Sequence, residues 1–153
     1  MKHRITVQIV DTDASSPTTV LLRKWANAAL KDETISREMT LRIVDIAEMT
    51  TLNETYRQKK GPTNVLSFPS DLPPEYATGE LGDIVICASI VNQEADMQQK
   101  LAKAHWAHMV VHGVYHLLGY DHMNDKDAAI MEALEIKVLA TLGFANPYEM
   151  EKE

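Results

Sequence analysis

The stretch HMVVHGVYHLLGYDH, residues 108–122, gathers four of the chain's six histidines into fifteen positions. On an α-helix, residues four apart share a face, with Cβ atoms about 5–6 Å apart. His112 and His116 are so placed, and two imidazole nitrogens can converge on one zinc ion at about 2.0–2.1 Å each. His108 extends the row, yet it is separated from His116 by about 12 Å of rise at about 1.5 Å per residue, too far for both to share that ion. A third ligand must come from elsewhere. In a continuing helix His122 would lie about 9 Å beyond His116 and on another face, so it joins only if the helix stops. Gly119 predicts that stop, because glycine accepts the positive φ of a helix C-cap without a Cβ clash. The spacing H-x-x-x-H-x-x-G-x-x-H thus predicts a site of three ligands, His112, His116 and His122, with one open position, the pattern of catalytic rather than closed structural zinc. The bland alternative is a set of histidines that fill a core or cover a helix face without an ion. A helix-breaking glycine at the required point weighs against it. His105 and His108 are expected to be surface, core or supporting residues.

With 153 residues, 45% of them hydrophobic, the chain is sized for one domain with a real core. MKHRITVQIV has only a short alternating apolar pattern, and no apolar run approaches bilayer-spanning length, so the expectation is a soluble protein without a signal peptide. The lone Cys87, flanked by apolar residues, reads as a small core hydrophobe suited to a reducing cytoplasm. A net charge of −7 argues against nonspecific polyanion binding over the whole surface. Charge is uneven, however: residues 1–60 hold ten Lys/Arg against eight Asp/Glu, and residues 61–153 hold five against fourteen. Any nucleic-acid contact should therefore come mostly from the first part, where YRQKK (56–60) is the densest basic cluster, although such a cluster is also an ordinary solvated loop.

RITVQIV alternates as a half-buried strand does, and SPTTVLLRKWANAALK switches to helical spacing, with Ser16 as N-cap, Pro17 at the first helical position, and Val20, Leu21, Trp25 and Ala28 or Ala29 on the buried face. MTLRIVD reads as a second strand with Met39, Leu41 and Ile43 pointing one way. Asp45 and Glu48 form a variant capping box opening a helix through about Tyr56, with Met49, Leu52 and Tyr56 on its apolar stripe. NVLSF and ELGDIVIC are two more strands, and PSDLPPEYATG between them is a surface loop, a connector or a flap. Helices are predicted over about 88–98, 102–118 and 125–142, the last capped by Asn124 and ended by Gly143. The order β α β α β β α α α predicts a single α+β domain spanning 1–153, one small mixed sheet of about four strands covered by about five helices.

The histidine pattern resembles the long zinc signature of the metzincin peptidases and implies a zincin-like metal site. Their second position holds the glutamate that activates water, and here it is Gly113, so peptide hydrolysis lacks its general base. Zinc can still polarise a phosphoryl oxygen and activate water. Phosphodiester cleavage then needs a cation at the phosphate, and arginine's fork matches two phosphate oxygens. Arg57, in the basic cluster after a helix, is the first candidate. For the proton acceptor, Asp121 reads better as a turn residue bonding backbone amides, and Asp83 is placed on a strand edge near the site.

With HGVYHLLGYDH (112–122), YRQKKGPTNVLSF (56–68), GELGDIVIC (79–87), and EAL (132–134) with LG (142–143) behind the histidines, the chain resembles the YbeY family of bacterial endoribonucleases. The likeness follows motif order over nearly the whole chain and is weakest in residues 11–35. It implies a metal-dependent, single-strand-specific endoribonuclease acting in ribosomal RNA maturation, notably at the small-subunit RNA 3′ end, and in ribosome quality control, with one Zn²⁺ on His112, His116 and His122 and a functional arginine at Arg57. It also implies the small ribosomal subunit, a small-subunit ribosomal protein and an Era-type GTPase as partners. Family members commonly read R-G-K-D-K-P-T-D where this chain has Arg57 to Asn64, so the patch here is more basic and a carboxylate role there is in doubt. Two rivals stand beside this expectation: a ribosome-assembly factor with a structural zinc, and a zinc hydrolase of peptides or small molecules.

Overall fold

The computed structural model describes residues 3–71 and 79–149. The strands are β1 (Arg4–Ile9), β2 (Glu38–Val44), β3 (Val65–Pro69) and β4 (Glu80–Cys87), and the helices are α1 (Thr19–Ala29), α2 (Ile46–Arg57), α3 (Ala88–Met97), α4 (Ala102–Leu117) and α5 (Asp125–Thr141). They form the expected single α+β domain. The sheet order is β1-β2-β4-β3, with β1, β2 and β4 parallel and β3 antiparallel to β4 along one edge.

Strand alternation gives the sheet two unlike faces. On one, Ile5, Met39, Leu41, Ile43, Ile84 and Ile86 are buried in the main core with α1, α4 and α5. On the other, Val44, Leu66, Val85 and Cys87 pack with Met49 of α2 in a smaller cluster. Helix α4 lies against the first face, and from His105 to Leu117 every residue is buried except His112 and His116, which are half-open. A helix apolar nearly all round belongs inside a domain. Within that stretch the two half-open positions are both histidines.

Gly113 shows how close this packing is: a Cβ built there would stand 3.0 Å from both Cδ1 and Cγ2 of Ile84, itself fully buried. The position that holds a glutamate in metzincins therefore faces the sheet here. No side chain at residue 113 reaches the histidines.

Local signals were largely legible, with specific exceptions. Thr18 rather than Ser16 caps α1, its hydroxyl accepting from the Leu21 amide, and the helix begins at Thr19 rather than Pro17. The buried face is accordingly Leu22, Trp25, Ala26 and Ala29, while Val20 is 72% exposed. With Leu21 and Leu22 adjacent, apolar periodicity fits either register, and only packing selects one. Asp45 caps α2 as expected, its carboxylate accepting from the Glu48 amide at 2.8 Å, but the Glu48 side chain turns away to Arg42, so the reciprocal half of the box is not made. Tyr56 lies outside the core, edge-on to Phe68 at 5.5 Å. The flap or connector read from PSDLPPEYATG falls largely on 72–78, outside the described residues.

Gly113→Ala should lose about 1 kcal/mol of stability in chemical denaturation, because overpacking costs about 1–3 kcal/mol while removing a helical glycine returns about 1. Adding Ile84→Val, which removes Cδ1, should recover part of that loss. A more stable Gly113→Ala protein would contradict the close approach of α4 to β4.

Candidate metal centre

Helix α4 stops where Gly119 predicts. The Tyr120 amide donates to the Tyr115 carbonyl and the Gly119 amide to the His116 carbonyl, both at 3.0 Å, with Gly119 at φ +101°. This is a Schellman closure. Its usual apolar clasp is present as the Tyr115 and Tyr120 rings, edge to face at 5.5 Å. The reversal brings His122 back beside the helix, where its ring centroid lies 5.7 Å from that of His112 and 5.0 Å from that of His116. One nitrogen from each ring lies within 4.8 Å of the other two.

Hydrogen bonds set the proton on two of these rings. Nδ1 of His116 is 3.1 Å from the carbonyl oxygen of Tyr120, which only accepts, so Nδ1 carries the proton. Nδ1 of His112 is 2.8 Å from Oε2 of Glu135. Burial pushes the Glu135 carboxyl up, but the hydrogen bonds from His108, His112 and Tyr148 outweigh it and hold the group down at about 2. An ionised carboxylate only accepts, so His112 also carries its proton on Nδ1. In the neutral rings both Nε2 atoms are then bare, and they face one another at 3.0 Å. Two lone pairs at that separation repel unless a cation lies with them. Burial first, then the nearby His112 and His122, lowers the His116 pKa, which disfavours an extra proton as that cation. The donor set fits a metal ion. Imidazole nitrogens suit zinc, copper, iron and nickel alike, and calcium or magnesium, which prefer oxygen ligands, poorly.

The three histidines line a hollow of about 590 Å³. Arg57, the last residue of α2, lines it as well, together with Lys59. Its Nη2 donates to the Ser67 carbonyl at 2.6 Å and its guanidinium lies 5.2 Å from the Phe68 ring centroid. The Ser67 hydroxyl donates in turn to the Gly113 carbonyl at 3.2 Å. One edge-strand residue thus ties the arginine to the helix bearing the histidines.

With this geometry in place, comparison with known proteins is direct. A family model described as Endoribonuclease YbeY matches residues 5–143. The chain belongs to the YbeY family. The solution structure of TM1509 from Thermotoga maritima is similar in fold, with a TM-score of 0.61 at 24% identity, covering 95% of this chain and 99% of that one.

Of the residues singled out from sequence, His112, His116, His122 and Arg57 line one hollow. Asp121 lines it too, and its Oδ1 accepts from the His122 amide at 2.7 Å, as a turn residue would. Asp83 is elsewhere. It sits on β4, an interior strand, and opens onto the opposite sheet face beside Thr40 and Arg42. The expected strand edge is occupied by β3, because NVLSF pairs outside ELGDIVIC rather than inside it. Asn64, where the family commonly has aspartate, donates to both carboxylate oxygens of Glu94 at 3.1 and 3.3 Å, and Glu94 also meets His105 Nε2 at 2.9 Å. An aspartate there would set two carboxylates against each other. Sequence reasoning missed Glu135 and Tyr148, although a glutamate between Met131 and Val138 on one helical stripe was a visible signal.

Burial lowers the pKa of His105, outweighing its bond to Glu94, and that of His116. The folded protein therefore binds these protons less readily than the unfolded chain. Stability is full above the ordinary histidine value, near 6.5, and falls as pH drops from there through the folded values. In the presence of chelator, the urea midpoint should hold steady at pH 7–8, decline from about pH 6.5 downward, and decline less steeply in His105→Gln. A midpoint that rises on acidification would contradict the assigned shifts.

Proposed function

We propose that this chain is a zinc-dependent, single-strand-specific endoribonuclease acting in ribosomal RNA maturation, at the small-subunit RNA 3′ end, and in ribosome quality control. Membership of the YbeY endoribonuclease family supports the reaction class. The observation that carries the reading is the hollow shared by three convergent imidazoles and Arg57. His112, His116 and His122 hold the metal through neutral nitrogens. A zinc ion there supplies Lewis acidity at the phosphate and activation of water at neutral pH.

The chain's own residues do the rest. Arg57 spends one N–H on Ser67 and lies over the Phe68 ring, and the two contacts hold its guanidinium at the hollow. Four donors of its fork remain for the scissile phosphate. Glu135 and the Tyr120 carbonyl keep protons on Nδ1 of His112 and His116, so that Nε2 stays available. The open side of the hollow and the exposed His122 favour a site that admits a substrate over a closed structural zinc. Gly113, facing Ile84, leaves no place for a peptidase glutamate.

This reading takes 1–153 as one catalytic domain. It places the protein in the cytoplasm, with single-stranded ribosomal RNA and the small ribosomal subunit as partners, and a small-subunit ribosomal protein and an Era-type GTPase alongside. Among the described residues no helix is long and apolar enough to cross a membrane.

Wild-type protein should carry about one zinc by elemental mass spectrometry and cut single-stranded ribosomal RNA at low salt, where phosphate contacts are strongest. His116→Ala should keep its fold and lose both. Arg57→Ala should keep zinc and cut about 100-fold more slowly, the usual scale for losing one group that stabilises developing charge. RNA cleavage undiminished in zinc-free His116→Ala would end the nuclease reading and leave the histidines as scaffold for a binding protein.

A further inference from the structure

Glu135 is fully buried, yet it lies on the stripe of α5 that includes Met131, Val138 and Leu139. An ionised carboxylate out of water costs several kcal/mol unless donors replace its hydration. Three donors do so here. Oε1 meets Nε2 of His108 at 2.8 Å and the hydroxyl of Tyr148, and Oε2 meets Nδ1 of His112 at 2.8 Å. Tyr148 stands beyond α5, on a segment held back by Lys100, whose Nζ donates to the Pro147 carbonyl at 2.9 Å, and by Asn146, whose side chain accepts from the Tyr148 amide.

A mere core staple would need none of this asymmetry. One carboxylate oxygen takes two donors from groups remote from the hollow, which leaves the other to a single ring. That ring's opposite nitrogen faces His116 at 3.0 Å. We infer that Glu135 and Tyr148 are positioning residues for the metal centre. Glu135 fixes the tautomer and tilt of His112, and Tyr148 fixes Glu135 and closes it from the surface. This inference rests on the metal reading proposed above and assigns residues that the three-histidine motif leaves out.

The same atoms allow a different construction. His108, His112 and Glu135 are also close enough to hold an ion of their own. Nδ1 of His108, however, is buried without a hydrogen-bond partner among the described residues, which suits a neutral ring with its proton on Nε2, turned toward Glu135. A proton on Nε2 leaves no lone pair there for a metal. The three groups then form a hydrogen-bonded relay rather than a second site.

The test is zinc affinity, measured by competition with a chromophoric chelator on metal-free protein, for wild type, Tyr148→Phe and Glu135→Gln. Alongside it, imidazole nitrogen shifts in the NMR spectrum report the His112 tautomer without metal. Expected are a wild-type stoichiometry of one, affinity about tenfold weaker in Glu135→Gln, the lower end of the scale for partners of metal-ligating histidines, and about threefold weaker in Tyr148→Phe, which acts one hydrogen bond further from the metal. In Glu135→Gln the His112 proton should no longer reside on Nδ1 alone. Should Glu135→Gln fail to fold, Tyr148→Phe decides by its affinity and the wild-type tautomer. Unchanged affinity in Tyr148→Phe and in any folded Glu135→Gln, with only the melting temperature lowered, would make the pair structural and overturn the inference while leaving the metal reading intact. Two zinc ions per wild-type chain would overturn it by making Glu135 a ligand. No zinc in the wild type would overturn both.

Discussion

Helix α4 can lie where it does because residue 113 has no side chain. The contact between its backbone and Ile84 sets both the depth of the helix in the domain and its rotation. At about 100° per residue, His105, His108, His112 and His116 all then fall on one flank, roughly 60–140° from the face that touches the sheet. Rotation is thus decided by packing, and the histidine row follows. A bulkier residue at 113 would lift the helix and swing every imidazole with it. The glycine that removes peptidase chemistry is the one that builds this geometry.

The flank so created is graded by burial. His105 and His108 lie deep and meet carboxylates, Glu94 and Glu135, while His112 and His116 lie half-open at the hollow. Depth separates roles that the sequence presents as equivalent repeats. A buried ring needs an acceptor to offset lost hydration, and a ring at the rim can give its free nitrogen to an ion. His112 and His116 do both: Nδ1 of His112 is on Glu135 and Nδ1 of His116 is on the Tyr120 carbonyl, while their Nε2 atoms face each other, and only His112 takes a buried carboxylate as its acceptor.

Much of this was legible beforehand because the signals are local. Gly119, Asn124 and Asp45 act within one turn of the positions they control, and the caps and the stop appear where those residues stand. Met39, Leu41 and Ile43 carry their burial in strict alternation. What was not legible depends on distant partners. In α1 both Leu21 and Leu22 meet the core, and only packing decides that Leu22 is the one fully buried. Asp83 was assigned to an edge because strand order cannot be read from strand sequence, and β3 pairs outside β4 through contacts that no local pattern encodes. Glu135 lies 23 residues from His112 and Tyr148 lies 13 beyond that. Tyr148 gave no sign at all, since a tyrosine in a polar tail has no periodicity to violate.

Ser67 shows how the two halves of the hollow are kept in step. Its hydroxyl holds the α4 carbonyl at Gly113 and its own carbonyl holds Arg57, so the basic end of α2 and the histidine helix share one fixed point on an edge strand. An edge strand has an outward row of unpaired carbonyls, and here one of them is used to aim an arginine. This matters for a phosphodiester more than for a peptide. Charge on a phosphate is spread over several oxygens, and stabilising it requires a cation and a metal at a set separation rather than a single base beside the metal. A carboxylate at position 113 would have served the second chemistry and cannot be accommodated. An arginine anchored through Ser67 to the residue-113 carbonyl would suit the first, under the reading proposed above.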